Sequence, residues 1–521
     1  MRHSKIIDWR FLLFSVLTLI GLMLYKRYFV KLKPSFLSEK EPSQQRALFE
    51  DNFLWGAGSA AQHIEHQQAS DWTNFERQVI KDGNTSTDAR PGFALPGHIN
   101  SLDKFSESVR LRKTNFDNVF DQDFALASKL GHNTHRFSIC WARLFPTRDL
   151  NTPDPEAIEF YHNILDSLKK YNITPFVTLF HFSTPAWFWD ELDYKRGWER
   201  KDAVEHFERF VQSVLDAFGN RISHWTTLNE PMTYVYNGYM QGIFPPLEKR
   251  DINGVVNVIE QLLKAHAVAY KLIHDNANRK NLSATVGIAK HTRSFQALRN
   301  WAPLDIISSK AVEQAFIWDF MDAINSGVLK ISNTDVKKHI AGLAGTQDYI
   351  GINYYGQFYI ESNLSNISKP NIYFFNPKRH DEERSDLDWA IYPRGLYNIL
   401  RATHKRYKTT IYVLENGLAD CNTDDVKRQN FLVDHIDQVW LAKNDGVDIR
   451  GYIHWSLTDN FEWAEGFTAR FGLISIDYEN NFKRIPRPSA TLYKQIIKDK
   501  GITPEARERL KQRRTLIPNG H

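Results

Sequence analysis

Eight short runs rich in β-branched, aromatic and small residues recur along the chain, each separated from the next by a stretch long enough for a helix. They are FLWGAGS from Phe53, NTHRFSI from Asn133, PFVTLF from Pro175, HWTTL from His224, ATVGIAKH from Ala284, YIGIN from Tyr349, IYVL from Ile411 and GYIHW from Gly451. Segments between them, such as Asp202 to Phe218 and Val255 to His274, carry apolar residues at helical spacing. Strand alternating with helix calls for a parallel sheet with crossover helices. Eight such units predict an α/β protein, a (β/α)8 TIM barrel. The alternative is an open doubly wound sheet, but no GxGxxG opens a helix after any of these strands.

The residues at the ends of these runs sharpen the expectation. His63 and Glu65, Arg136, His181, Asn229 and Glu230, Asn353 and Tyr355, Glu415 and Asn416, and Trp455 all stand at or just beyond the C-terminal end of a run. In a closed barrel those ends converge on one face, where active sites are built. The stretch from Asp71 to Asn118, rich in Gly, Ser and Asn, reads as a loop excursion on that face.

Composition narrows the function classes. With 66 basic against 61 acidic residues the net charge is +5, too mild for a nucleic-acid partner. The only cysteines, Cys140 and Cys421, exclude a disulfide scaffold, show no metal-ligand spacing and suit a reduced compartment. The 14 Trp and 21 Tyr suit a pocket that stacks on rings and hydrogen-bonds at their edges.

The N-terminus stands apart. Phe11 to Tyr25 reads FLLFSVLTLIGLMLY, an uncharged apolar run somewhat short of the about 20 residues a bilayer core requires. Aromatic flanks and snorkelling bases extend such a span. The bulky, basic YKRYFVKLK next to it offers no small-x-small cleavage site, so an uncleaved membrane anchor is favoured over a signal peptide. Lys26, Arg27, Lys31 and Lys33 on its C-terminal flank lean the orientation towards a cytosol-facing catalytic domain. The expected organisation is an anchor at 1–30, a linker at 31–50, the barrel at 51–497 and a basic tail at 498–521.

Two carboxyl groups carry the chemistry. TLNEP (Thr227 to Pro231) and VLENG (Val413 to Gly417) each set a glutamate just past a strand, the fourth and the seventh. Cleavage of a glycoside needs such a pair flanking the anomeric carbon: one protonated to assist the leaving group, one ionised to attack or to activate water.

Here the chain resembles glycoside hydrolase family 1, from about Phe53 to Tyr493. The likeness is carried by FLWGAGSAAQHIE, HRFSICWARLFP, PFVTLFHFSTPAW, HWTTLNEP, YIGINYYG, IYVLENG and GYIHWSLTDNFEWAEGFTARFGLISIDY. The resemblance implies a retaining β-glycosidase, with Glu230 as acid/base and Glu415 as the nucleophile that forms a glycosyl-enzyme. It implies that Arg136 and Tyr355 orient the nucleophile and that Asn229 contacts the sugar 2-hydroxyl. His181, Glu462 and Trp463 match readers of sugar hydroxyls, and Trp455 matches the platform beneath the ring. Asn353, His63 and Phe471 complete the expected substrate-binding set. Trp72, Trp141 and Trp189 are left as packing or pocket wall. No cofactor or metal is implied.

Retention of both glutamates argues against a non-catalytic sugar-binding receptor. The carboxylate of Glu462 in DNFEWAEG would repel phosphate, so an unphosphorylated glucoside or galactoside is the expected substrate. The chain departs from the family where His63 replaces the usual Gln and Phe182 the usual Trp. A phenyl ring cannot donate a hydrogen bond, and leaving a buried hydroxyl unpaired costs about 1–3 kcal/mol. These departures, the N-terminal run, YPRGLYNILRATHKRY (Tyr392 to Tyr407) and the tail from Ile502 resemble a membrane-anchored branch of the family that transfers galactose between galactolipids. Hydrolysis and glycolipid transfer share every step up to the glycosyl-enzyme, and both stay open, as does the oligomeric state.

Overall fold

The computed structural model describes residues 47–82, 106–149, 152–190, 196–366 and 369–508. Eight parallel strands form the centre: β1 (Leu54–Gly58), β2 (Thr134–Ser138), β3 (Thr174–Phe180), β4 (His224–Asn229), β5 (Thr285–Ala297), β6 (Tyr349–Glu361), β7 (Thr410–Asn416) and β8 (Ile449–Trp455). Each pairs with its neighbours in sequence, and β8 returns to pair with β1, closing the ring. All eight runs of the sequence become strands. β5 and β6 run on past the barrel rim and stay paired there, from Ser294–Gln357 to Ala297–Ile360, beyond a register shift after Thr292.

Among the described residues, eight helices ring the barrel: α1 (Phe116–Lys129), α2 (Pro155–Lys170), α3 (Ala203–Phe218), α4 (Val256–Lys280), α5 (Pro303–Glu313), α6 (Pro393–Tyr407), α7 (Val426–Asn444) and α8 (Pro488–Lys498). In α3, Phe207, Phe210, Val211, Val214, Leu215 and Phe218 fall on one face at i, i+3, i+4, i+7, i+8 and i+11, and all are buried. Helix α2 starts at a proline, and Asp154 caps it by accepting the backbone N–H groups of Glu156 (2.8 Å) and Ala157 (3.2 Å). Inside the barrel, Phe176, Ala289, Tyr349, Tyr412, Leu414 and Ile453 form a packed plug, so the catalytic face stands on a solid floor.

Three expectations need adjustment. The stretch from Asp71 is not all loop: Asp71–Asp82 and Glu107–Arg112 are helical, and α1 begins at Phe116. Ser70 starts the first of these by accepting the N–H of Thr73 (3.1 Å), and Trp72 and Phe75 bury one side of it. The barrel body also reaches further at both ends than residues 51–497. Ala47–Leu48, read as linker, pairs with Gly501–Ile502, read as tail. The expected anchor at 1–30, with its apolar run at 11–25, lies outside the described residues; among those described, no helix is long and apolar enough to cross a membrane.

Candidate active site

Strand register assembles the site before any side chain is considered. Glu415 of β7 lies opposite Asn353 of β6, and Asn353 lies opposite His291 of β5. Arg136 and Asn229 stand on β2 and β4. The VLENG turn leaves no room for a side chain at Gly417: a Cβ there would fall 1.8 Å from the Trp455 carbonyl oxygen. Glu230 ends β4 in the left-handed region (φ 42°, ψ 56°), a conformation uncommon outside glycine and often found at functional sites.

One hydrogen-bonded chain joins the two glutamates. Arg136 donates through Nη1 to Glu415 Oε1 and through Nη2 to Asn229 Oδ1 (2.7 Å). Asn353 Nδ2 donates to Asn229 Oδ1 (3.2 Å) and to Glu230 Oε1 (2.8 Å). Tyr355 donates its hydroxyl to Glu415 Oε2 (2.7 Å). All six residues are buried. Every residue the sequence assigned to the reacting carbon is therefore in one network.

The carboxyls are coupled. Burial pushes Glu415 up to about 7, against the Arg136 guanidinium, with the charge of Glu230 adding to the rise. Burial also works to raise Glu230, but His291 and Asn353 outweigh it and draw it down to about 2. Interacting carboxyls lose their protons in two steps that belong to the pair. Between those two values the pair holds one proton, which these surroundings place on Glu415 with Glu230 ionised; an acid at Glu230 beside an ionised Glu415 needs the reverse placement.

The far end of the pocket is built differently. His63 is fully buried, its ring centroid 4.1 Å from Trp463, 5.5 Å from Trp455 and 6.2 Å from His181. Neither of its ring nitrogens has a hydrogen-bond partner, and Nδ1 lies 3.9 Å from Glu462 Oε2. Trp455 Nε1 donates to Glu462 Oε2 (3.2 Å), and burial holds the Glu462 carboxyl well above its ordinary range. His181 shares a hydrogen bond with Asn229 through Nε2 (3.0 Å), leaving Nδ1 without a partner. Phe182, in the Trp position, packs its ring 5.1 Å from Trp463 and 5.7 Å from Phe244. Phe182 (φ 67°) and Trp463 (φ 46°) both hold left-handed backbone, rare for bulky residues. Trp72, set aside as packing, buttresses Trp463 at 4.7 Å, whereas Trp141 packs against Phe188 and Phe210 in the helical layer. Phe471 stands 6.0 Å from Tyr355.

His181, Asn229, Glu230, Glu415, Trp455 and Glu462 line one cavity of about 1690 Å³, which Met232, Met240, Ile243, Phe295, Phe316 and Phe358 also line, whereas His63, Arg136 and Asn353 stand behind that lining. Sequence reasoning missed His291 and Arg293. His291 Nδ1 meets Glu230 Oε2 at 2.8 Å, and Arg293 Nε donates to His291 Nε2 at 2.9 Å. The signal was present: AKHTR lies in β5 at the level where the other strands carry their polar residues, yet β5 is the one strand from which the sequence reading takes none. Among the described residues no cluster of His, Cys, Asp and Glu is arranged to hold a metal ion.

Known proteins are similar to this chain over nearly the whole barrel. The model of glycosyl hydrolase family 1 matches residues 45–502. A 1,4-beta-D-glucan glucohydrolase from Thermotoga neapolitana is 29% identical over 87% of this chain and 99% of its own length. The raucaffricine-O-beta-D-glucosidase of Rauvolfia serpentina is 31% identical over 85% of this chain and 90% of its own. The solved beta-glycosidase from Pyrococcus horikoshii superposes with a TM-score of 0.75 at 30% identity, covering 91% of this chain and 99% of that one. A family match spanning the entire barrel, on a fold shared with solved members, makes this chain a glycoside hydrolase that belongs to family 1.

Proposed function

We propose that the protein is a retaining β-glycosidase acting on unphosphorylated β-D-glucosides or β-D-galactosides through a covalent glycosyl-enzyme. The observation that carries this reading is the single hydrogen-bonded chain Glu415–Arg136–Asn229–Asn353–Glu230. Glu415 attacks the anomeric carbon; Arg136 and Tyr355 steady its charge and aim its oxygens. Glu230 gives its proton to the departing oxygen, then takes one from the incoming water as the ester is released. Asn229 faces the 2-hydroxyl, Trp455 lies under the ring, and His63, His181, Glu462 and Trp463 read the outer hydroxyls. The test is the anomeric form of the first-formed product, followed by proton NMR: the β-anomer is expected, and an initial α-anomer overturns the reading.

A second reading concerns what receives the sugar. The many apolar residues lining the cavity favour a large apolar aglycone or acceptor. With the apolar run at 11–25 as a membrane anchor, that partner is a glycolipid and the reaction is transfer. Purified full-length protein is offered galactolipid vesicles beside soluble aryl glycosides. Galactose-extended lipid supports transfer; turnover of the soluble compounds with no lipid product removes it.

A further inference from the structure

Arg293 is a pocket residue that the proposed reaction leaves without a task. It stands on β5, two residues past His291, and lines the same cavity as Glu230. Its guanidinium carbon is 4.2 Å from the ring centroid of Trp389 and 4.2 Å from that of Phe358, so aromatic rings hold it in place. Nε is engaged with His291, but Nη1 is buried with no hydrogen-bond partner. Among the described residues no carboxylate lies within ion-pair distance of it, and the side chain is only 2% exposed. The countercharge that acts on it is Glu230, beyond His291, and a buried guanidinium with Nη1 unpaired remains costly.

Resting on the retaining-glycosidase reading, we infer that Arg293 receives an anionic oxygen group, a carboxylate or a phosphate, carried by the aglycone close to the glycosidic bond. The planar fork of arginine suits both groups, and Arg293 lines the cavity with Nη1 still unpartnered. The same contact acts on the acid/base. Because Arg293 donates to His291 Nε2, the imidazole proton sits on Nδ1 and is donated to Glu230. This arm favours the ionised form of Glu230 in the free enzyme. Lys290, also buried, donates to the His291 carbonyl oxygen (2.9 Å). An anion on Arg293 cancels the charge at the end of the arm and lets the proton rest on Glu230 when cleavage needs it. An anionic aglycone thus gains both binding and acid assistance.

The test compares kcat/KM for 3- and 4-carboxyphenyl β-glycosides with their uncharged carboxamide counterparts, and for 3-phosphonooxyphenyl against 3-hydroxyphenyl glycoside. The sugar is whichever of glucose or galactose the full-length protein turns over faster. A charge-assisted hydrogen bond in a buried site predicts a preference for the charged member of at least about tenfold. The larger of the carboxylate and phosphate preferences identifies the anion. Arg293→Gln brings the ratio to about one, and Arg293→Lys keeps part of it; a ratio is insensitive to how much variant folds. Equal or lower kcat/KM for both anionic classes in the wild type overturns the inference, as does a preference that survives in Arg293→Gln. No turnover of any aryl glycoside would instead sink the glycosidase reading on which it rests.

Discussion

The two ends of the pocket hold their side chains by different means. At the reacting carbon, Arg136, Asn229, Asn353, Tyr355 and both glutamates come from the ends of barrel strands or the residues just beyond them, and they satisfy one another with hydrogen bonds. At the proposed sugar-reading end, His63 stands on the short helix Ala61–Ile64 beyond β1, Phe182 in the bend after β3, and Glu462 and Trp463 beyond β8; ring packing holds His63, Phe182 and Trp463, with three imidazole nitrogens of His63 and His181 unpartnered. A network anchored in a closed barrel fixes geometry to fractions of an ångström, which bond-breaking requires. Aromatic packing fixes a shape yet leaves polar edges free to suit a particular sugar. The chemistry of the family therefore persists at one end while the other has changed residues.

The largest expected effect breaks the network end. Glu415→Gln removes the nucleophile with little change of shape, so turnover falls by more than the ~10⁴-fold that general acid–base catalysis alone can supply. Circular dichroism and the melting temperature stay near wild type. Glu230→Gln costs about 10²–10⁴-fold on alkyl glycosides and far less on dinitrophenyl glycosides, whose leaving group needs no proton. Tyr355→Phe deletes one hydrogen bond to the charged nucleophile, worth about 1.5–3 kcal/mol, so kcat drops roughly 10- to 150-fold. Activity also declines as pH rises through about 7, because the pair then loses its last proton and no acid remains; a rate that stays flat from pH 6 to 9 contradicts the coupled pair.

At the packed end the expected effects are smaller and fall on binding. Glu462→Gln raises KM more than it lowers kcat, by about tenfold, through a weaker hydrogen bond to substrate. His63→Gln, which restores the family's usual residue, alters kcat by only a few-fold but shifts the glucoside-to-galactoside ratio of kcat/KM. An unchanged ratio would show that His63 does not face the sugar.

The same contrast explains what was legible in the chain. Barrel strands declare themselves as apolar runs, and polar residues at their ends have no core role to explain them, so Arg136, Glu230 and Glu415 could be read together. The helix at Asp71–Asp82 was hidden because its pattern is short and sits in a polar stretch, and its burial depends on Trp463, nearly four hundred residues away. His291 and Arg293 escaped because β5 carries its charges inside a strand that continues past the rim. No local pattern says that such a strand passes beside the acid/base; only the register with Asn353 does. The pairing of Ala47–Leu48 with Gly501–Ile502 is likewise non-local, two residues a side, and leaves no periodicity to see.

Trapping the intermediate tests the central claim most directly. The full-length protein is incubated with 2-deoxy-2-fluoro β-glucosyl and β-galactosyl fluorides, digested, and its peptides mapped by mass spectrometry. A single fluorosugar on Glu415, with loss of activity in step with labelling, is the expected result. A label on any other residue, or full inactivation with none on Glu415, would contradict the assignment of the nucleophile and the network built around it.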